Sequence, residues 1–263
     1  MPALLQSSAT PGDKSSNIGA IGRAAAAAAA SGASIVVFPE LFLTGYNLGQ
    51  RLRDLAEPLD GQSVAAVSDI ARTCGIGIVF GMPERDGERV FNTAVAIDAG
   101  GKVAGRYRKI HLFGEDEPLV FTPGEGLTII PIGPFRVGLA ICYDIEFPEF
   151  ARALVRGGAD LIAVPTANML PYASVPTTAV RARALENGVG VIYANLVGTE
   201  GKLTYTGGSA IVCFDGCDRC RAGFETEALL SCSAASVLPS VTPHRLASTQ
   251  LRDLQPDALF VAD

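Results

Sequence analysis

The chain has 263 residues, 48% of them apolar, enough to bury a full-sized core within one α/β domain. Its formal charge of -6 and pI near 5.0 supply no basic stripe to neutralise phosphates, which argues against nucleic acid or an anionic membrane surface as a partner. The opening MPALLQSSATPGDKSS lacks a basic head followed by an apolar stretch, and no apolar run reaches membrane-spanning length, so a soluble cytoplasmic protein with reduced cysteines is expected.

In chain order, Ser16 to Ser31 is the first predicted helix; alanine, which fills positions 24 to 30, is the best helix former and small enough to pack closely on a sheet. SIVVFPE follows as a short strand, then an amphipathic helix from Gln62 to Thr73 and the strand GIGIVFGMPE. FNTAVAIDAGGKVAGRYRK alternates on both sides of a glycine pair and predicts a hairpin. VGLAICYD is the next strand and runs into a helix from Pro148 to Arg156, with ADLIAVPTAN after it. A helix from Thr177 to Asn187 precedes the strand VGVIYANLVG, and GGSAIVCFDGCDRC predicts a second hairpin. The non-hairpin strands carry short apolar runs that end in a polar or proline-bearing step, the pattern of strands buried on both faces. The order is β-α-β-α with hairpins added, in one domain over 1–263, and the charged, proline-containing tail from Thr242 to Asp263 is expected to be an extension.

Reactive side chains collect where strands finish, because the turn exposes them while the sheet holds them rigid. Glu40 ends SIVVFPE, Lys109 follows the first hairpin in GRYRKIHLFGEDE, and Cys142 ends VGLAICYD just before a helix. Their chemistry is complementary. A free thiol and a free carboxyl differ by about four pKa units, so unassisted transfer of the thiol proton to glutamate costs roughly 6 kcal/mol. A nearby ammonium favours the thiolate and burial raises the carboxyl, so Lys109 and a desolvated Glu40 together narrow that gap. The Tyr143 N–H, at the turn after Cys142, is placed to meet a developing oxyanion together with Lys109. A Cys-His pairing fits less well, since His111 lies two residues beyond Lys109 and would face the other way in an extended segment, while His244 is in the tail.

FPELFLTGY, YRKIHLFGE and ICYDIEFPE, in that order, resemble the three signature segments of the nitrilase superfamily of carbon–nitrogen hydrolases, and the likeness extends through GADLIAVPTAN, VRARALENGVGVIYAN and TYTGGSAIV. The resemblance implies a four-layer αββα sandwich that dimerises to αββα-αββα, as a homodimer or higher homo-oligomer. It implies Glu40 as general base, Cys142 as nucleophile and Lys109 as oxyanion stabiliser, with neither metal nor organic cofactor. A second glutamate often positions substrate and lysine in this family; of Glu115 and Glu117, Glu117 is favoured by its distance to the following TPG. The wording looks most like the aliphatic or stereoselective amidase branch, implying a small carboxamide substrate hydrolysed to acid and ammonia through a Cys142 thioester. The alternatives are a nitrilase or N-carbamoyl-amide hydrolase using the same three residues, and a non-catalytic scaffold. Tyr46, Phe113, Asn168, Met169 and Tyr172 are the expected substrate contacts. Glu146 stands where many relatives carry arginine and reads as a surface charge exchange. Cys213, Cys217, Cys220 and Cys232 also depart from the family, and their C-x3-C-x2-C spacing lacks the paired knuckles of zinc sites, so neutral drift in a hairpin is expected.

Overall fold

The computed structural model describes residues 1–238; the tail assigned to 242–263 lies outside them. Strand β1 (Pro2–Gln6) leads to helix α1 (Lys14–Ala30), which starts where Asp13 Oδ1 accepts the Ser16 N–H at 3.0 Å. Its buried stripe, Ile21, Ala24, Ala25 and Ala28, has the i, i+3, i+4, i+7 spacing of a helix lying on a sheet, so the alanine tract is a packing surface. Then come β2 (Ile35–Val37), α2 (Arg51–Leu55) and α3 (Gln62–Cys74). The next three strands, β3 (Gly77–Asp86), β4 (Arg89–Ile97) and β5 (Val103–Arg108), are antiparallel neighbours.

The second half runs α4 (Glu117–Val120), β6 (Ile129–Ile132), β7 (Phe135–Leu139), a 3-10 turn over Cys142–Glu146, α5 (Pro148–Arg156) and β8 (Leu161–Thr166). A π-helical turn over Val175–Ala179 enters α6 (Val180–Asn187), followed by β9 (Gly190–Asn195) and the hairpin of β10 (Val197–Glu200) and β11 (Leu203–Thr206). The described residues close with β12 (Ala210–Val212), β13 (Asp218–Arg221) and β14 (Ala228–Ser231).

One six-stranded sheet has the order β14-β1-β2-β3-β4-β5 and the other β13-β12-β9-β8-β7-β6. The period of two along the strands sorts their faces. Leu4, Ile35, Val37, Val79, Ala94 and Ala96 of the first sheet join the core shared with the second, whereas Ala3, Val36, Ile78, Phe80, Val95 and Ile97 meet Ile21, Ala25, Val64 and Val67 of α1 and α3. On the far side, Phe150, Ala151 and Leu154 of α5 and Val180 and Ala184 of α6 cover the second sheet. The result is the expected αββα sandwich. Among the described residues no helix is long and apolar enough to cross a membrane.

Three details differ from the sequence expectation. VGVIYANLVG divides between β9 and β10, which belong to different sheets. GIGIVFGMPE is the first arm of a further hairpin, paired with β4 from Ile78↔Ile97 to Asp86↔Arg89, because Gly87-Glu88, with Gly87 at φ 58°, makes a two-residue turn that a single-hairpin reading of the following segment passes over. The helix expected from Thr177 is π-helical until Ala179, with Pro176 in its opening turn, and becomes α-helical only from Val180.

Candidate active site

Glu40, Lys109 and Cys142 each lie just past the end of a strand, β2, β5 and β7 respectively, the first two from one sheet and the third from the other. Glu40 is placed by a tight backbone approach. Gly81 of β3 faces it so closely that a Cβ there would stand 2.3 Å from the Leu41 nitrogen and 2.9 Å from the Glu40 Cα. Leu41 takes up the bend with φ 48°, and the Glu40 N–H donates to the Thr166 carbonyl at 3.2 Å. Lys109 is clamped on both sides of its backbone: its N–H donates to the Asn92 carbonyl at 2.9 Å, and its carbonyl accepts the Gly124 N–H at 2.8 Å.

The side chains then converge. The Lys109 ammonium donates at 2.7 Å to Glu40 Oε1 and at 2.7 Å to Glu117 Oε1. Glu40 Oε1 also accepts the Asn92 amide at 2.7 Å, and Glu117 accepts the Tyr46 hydroxyl at 2.8 Å and the Phe113 N–H at 2.9 Å. Glu40, Lys109 and Glu117 are 0%, 1% and 5% exposed, so these are desolvated ionic contacts that survive because nearly every polar atom is paired. The exceptions are Glu40 Oε2 and the Oδ1 of neighbouring Asn92, buried with no hydrogen-bond partner among the described residues. Glu115, by contrast, is exposed.

Cys142 opens the 3-10 turn with φ 45°, a left-handed conformation that non-glycine residues rarely adopt and that commonly marks reactive positions. Its sulfur accepts the Ala167 N–H from the end of β8 and lies within electrostatic reach of Glu40, Lys109 and Glu117. Asp144 fixes the turn. Buried, it accepts the Ile141 N–H at 3.0 Å, the Tyr107 hydroxyl at 2.9 Å and the His111 N–H at 3.1 Å, with His111 Nδ1 at 2.8 Å. His111 is thereby committed to Asp144 and stacks on Phe147 at 4.0 Å. His244 lies outside the described residues.

Burial sets the charges of the array against one another. Burial pushes the Glu40 carboxyl up, with Lys109 opposing. Burial would lower the Lys109 ammonium, but Glu117 and Glu40 outweigh it and hold it above its ordinary value. Burial and then the Glu40 carboxylate push the Cys142 thiol well up, with Lys109 only partly offsetting them. Burial and the Glu40 charge thus outweigh Lys109 and favour the protonated form of the Cys142 thiol.

The other expected contacts divide into two groups. Tyr46 and Phe113 wall a cavity of about 380 Å³ that opens beside Glu117. Tyr172 is exposed and meets Phe113 edge-on at 5.8 Å, and Phe113 meets Tyr143 at 5.3 Å, forming an aromatic rim next to the Cys142 turn. Asn168 and Met169 are buried. The Asn168 amide donates to the Tyr172 carbonyl at 3.0 Å and Thr206 Oγ1 at 3.2 Å, and Met169 sits in the core beneath α1 and α3. Glu146 is half-buried rather than on the open surface, and burial raises its carboxyl. Asn92, Asp144 and the Ala167 N–H went unremarked in the sequence, although a polar residue inside the strand FNTAV and an aspartate two positions after the cysteine were legible signals. The four hairpin cysteines do not assemble with other ligands: among the described residues no group of three or more His, Cys, Asp or Glu side chains could hold a metal ion.

Comparison with known proteins agrees with this geometry. An (R)-stereoselective amidase from a Pseudomonas species is 37% identical over 210 residues, covering 80% of this chain and 76% of that protein. A nitrilase from Pyrococcus abyssi is 42% identical over 188 residues, 70% of each chain. An amidase from Nesterenkonia sp., solved in complex with butyramide, superposes with a TM-score of 0.78 at 35% identity, covering 87% of this chain and 88% of that one. Another of its structures carries acrylamide added at the active-site cysteine. The carbon-nitrogen hydrolase pattern matches residues 3–236. With its strand-end residues, its four-layer architecture and these likenesses, the chain belongs to the carbon-nitrogen hydrolase family and is a hydrolase of C–N bonds.

Proposed function

We propose that the chain is an amidase that hydrolyses a small aliphatic or amino-acid-like carboxamide to the carboxylic acid and ammonia. The observation that carries the reading is the buried Glu40–Lys109–Glu117 array with one Glu40 oxygen unpartnered in electrostatic reach of the Cys142 thiol. Glu40 takes the thiol proton as the Cys142 sulfur bonds to the amide carbon, and the oxyanion is met by the Lys109 ammonium and the Tyr143 N–H, which lies in the first turn of a helix where N–H groups lack intrahelical partners. The C–N bond breaks, ammonia leaves with the proton from Glu40, and a thioester remains. Water, deprotonated by Glu40, attacks the thioester and restores the thiol. Glu117 holds Lys109 in place through the whole sequence, while Tyr46, Phe113 and Tyr172 contact the acyl group, with Asn168 and Met169 supporting that wall.

The Nesterenkonia amidase binds butyramide, which supports a small carboxamide here; the Pyrococcus nitrilase gives a second reading, attack by the same thiol on a cyano carbon. A panel of small amides, nitriles and N-carbamoyl compounds assayed for ammonia release separates the two. Amides should be consumed, and the Cys142→Ala variant should consume none; consumption of nitriles alone would overturn the amidase reading, and turnover by the variant would overturn the mechanism. Stoichiometric labelling of Cys142 by an electrophile, blocked by substrate, sets the enzyme apart from a scaffold that merely keeps the fold. The same reading treats 1–263 as one domain with 242–263 as its extension, places it in the reducing cytoplasm and pairs it as a homodimer, in keeping with its free thiols and its family resemblance.

A further inference from the structure

The fold brings a second pair of thiols together, away from Cys142. Cys220 is on β13, the edge strand of one sheet, and Cys232 directly follows β14, the edge strand of the other. The two edges adjoin at this end of the sandwich, and the Cys220 and Cys232 thiols are hydrogen-bonded to each other. Both are free and half-buried, packed on the core yet open to a small solute.

Their surroundings make the two sulfurs unequal. The hydrogen bond from Cys220, the nearby Ser236 hydroxyl and the charges of the N-terminal amine and Arg219 bring the Cys232 thiol down to about 7. The same contact and burial push Cys220 up. One sulfur thus gives up its proton more readily than the other, the division between an attacking and a resolving cysteine. Arg219 is locked in position: it donates at 3.0 Å to Cys213 Sγ, at 3.0 Å to Asp215 Oδ2 and at 3.0 Å to the Ser236 carbonyl. It thus straps the turn before β13 to the Ala234–Ser236 turn that follows Cys232.

We propose that Cys220 and Cys232 are an oxidation site that closes to an intramolecular disulfide across the edges of the two sheets, with a hydroperoxide as oxidant. The Cys232 thiolate attacks the peroxide oxygen; the O–O bond breaks, the sulfur becomes a sulfenic acid, and with hydrogen peroxide the leaving hydroxide takes up the proton that the thiol released. The Cys220 sulfur then bonds to the Cys232 sulfur, the S–O bond breaks, and the departing hydroxyl leaves as water with the Cys220 proton. Two thiols and one peroxide give one disulfide and two waters. The bond covalently joins the two layers and is undone by a dithiol reductant.

The test uses the full chain carrying Cys142→Ser, so that the candidate nucleophile does not consume oxidant. After graded hydrogen peroxide and alkylation under denaturing conditions, two alkylatable thiols should disappear together, and a digest should contain one dithiothreitol-reversible cross-linked peptide joining Cys220 to Cys232. With Cys220→Ser added, dimedone should label Cys232 instead, and with Arg219→Ala the oxidation should slow several-fold. Full alkylation of both residues after peroxide, a cross-link through Cys213 or Cys217, or dimedone labelling at Cys220 in a Cys232→Ser background that matches the parent rate would overturn the proposal.

Discussion

Replacing Glu117 by glutamine separates the two tasks its carboxylate performs. Glu117 meets three donors, the Lys109 ammonium at 2.7 Å, the Tyr46 hydroxyl at 2.8 Å and the Phe113 N–H at 2.9 Å. Glutamine has the same shape but one acceptor oxygen, so its NH2 must face either the Phe113 N–H or the Lys109 and Tyr46 pair. A hydrogen bond to a charged group contributes about 1.5–3 kcal/mol, and a buried donor left unmet costs about 1–3 kcal/mol. If that loss falls on the orientation of Lys109 in the transition state, kcat/KM should drop by about 10- to 100-fold, since roughly 1.4 kcal/mol corresponds to a tenfold change. The second task is electrostatic. Glu117 helps to keep the Cys142 thiol protonated, so its neutral replacement should speed alkylation of Cys142 by iodoacetamide at neutral pH even as turnover falls. Initial-rate kinetics and an alkylation time course measure the two effects, with Glu115→Gln, at an exposed neighbour, expected to match the parent in both. Parent-like turnover in Glu117→Gln, or alkylation that slows in step with turnover, would refute the reasoning.

A base acts only when unprotonated, and burial holds Glu40 above the ordinary carboxylate range, so kcat/KM should fall as pH is lowered through that raised value; a pH profile flat down to the ordinary carboxylate range would contradict it. Asp144→Asn puts an NH2 against one of two donor pairs, Ile141 N–H with the Tyr107 hydroxyl or the His111 N–H with His111 Nδ1, and should lower stability by about 2–4 kcal/mol in denaturant titrations; an unshifted midpoint would show that the Cys142 turn is held by something else. Gly81→Ala drives a methyl to 2.3 Å from the Leu41 nitrogen and should displace Glu40, reducing kcat more than it changes the far-ultraviolet circular dichroism; normal turnover would mean that the β2 end yields freely.

The β-α-β-α order was legible because its strands carry short apolar runs and its helices single buried stripes, as Ile35 to Val37 and Ile21 with Ala24, Ala25 and Ala28 illustrate, whereas the four-layer sandwich followed from the family resemblance. Glu40 and Cys142 stood out because each sits where an apolar run stops, and Lys109 because it follows a hairpin. The charge balance did not. A sequence says that Lys109 is cationic, but only packing shows that two carboxylates share it and that burial and Glu40 outweigh it at the Cys142 thiol. Nor does proximity in the chain to a motif reveal that the Asn168 amide also donates to Tyr172 and Thr206. The hairpin cysteines, dismissed as drift on spacing alone, gain meaning only because β13 and β14 border different sheets.

Glu40, Asn92 and Lys109 hang from one layer of the sandwich, while Cys142, Asp144 and Ala167 hang from the other. The chemistry therefore works across a seam, and its tolerance is set by how little the layers slide. Mild heat or low denaturant that lets them creep by a fraction of an ångström should silence turnover while both sheets are still intact, making catalysis a finer gauge of interlayer alignment than any spectroscopic signal of unfolding.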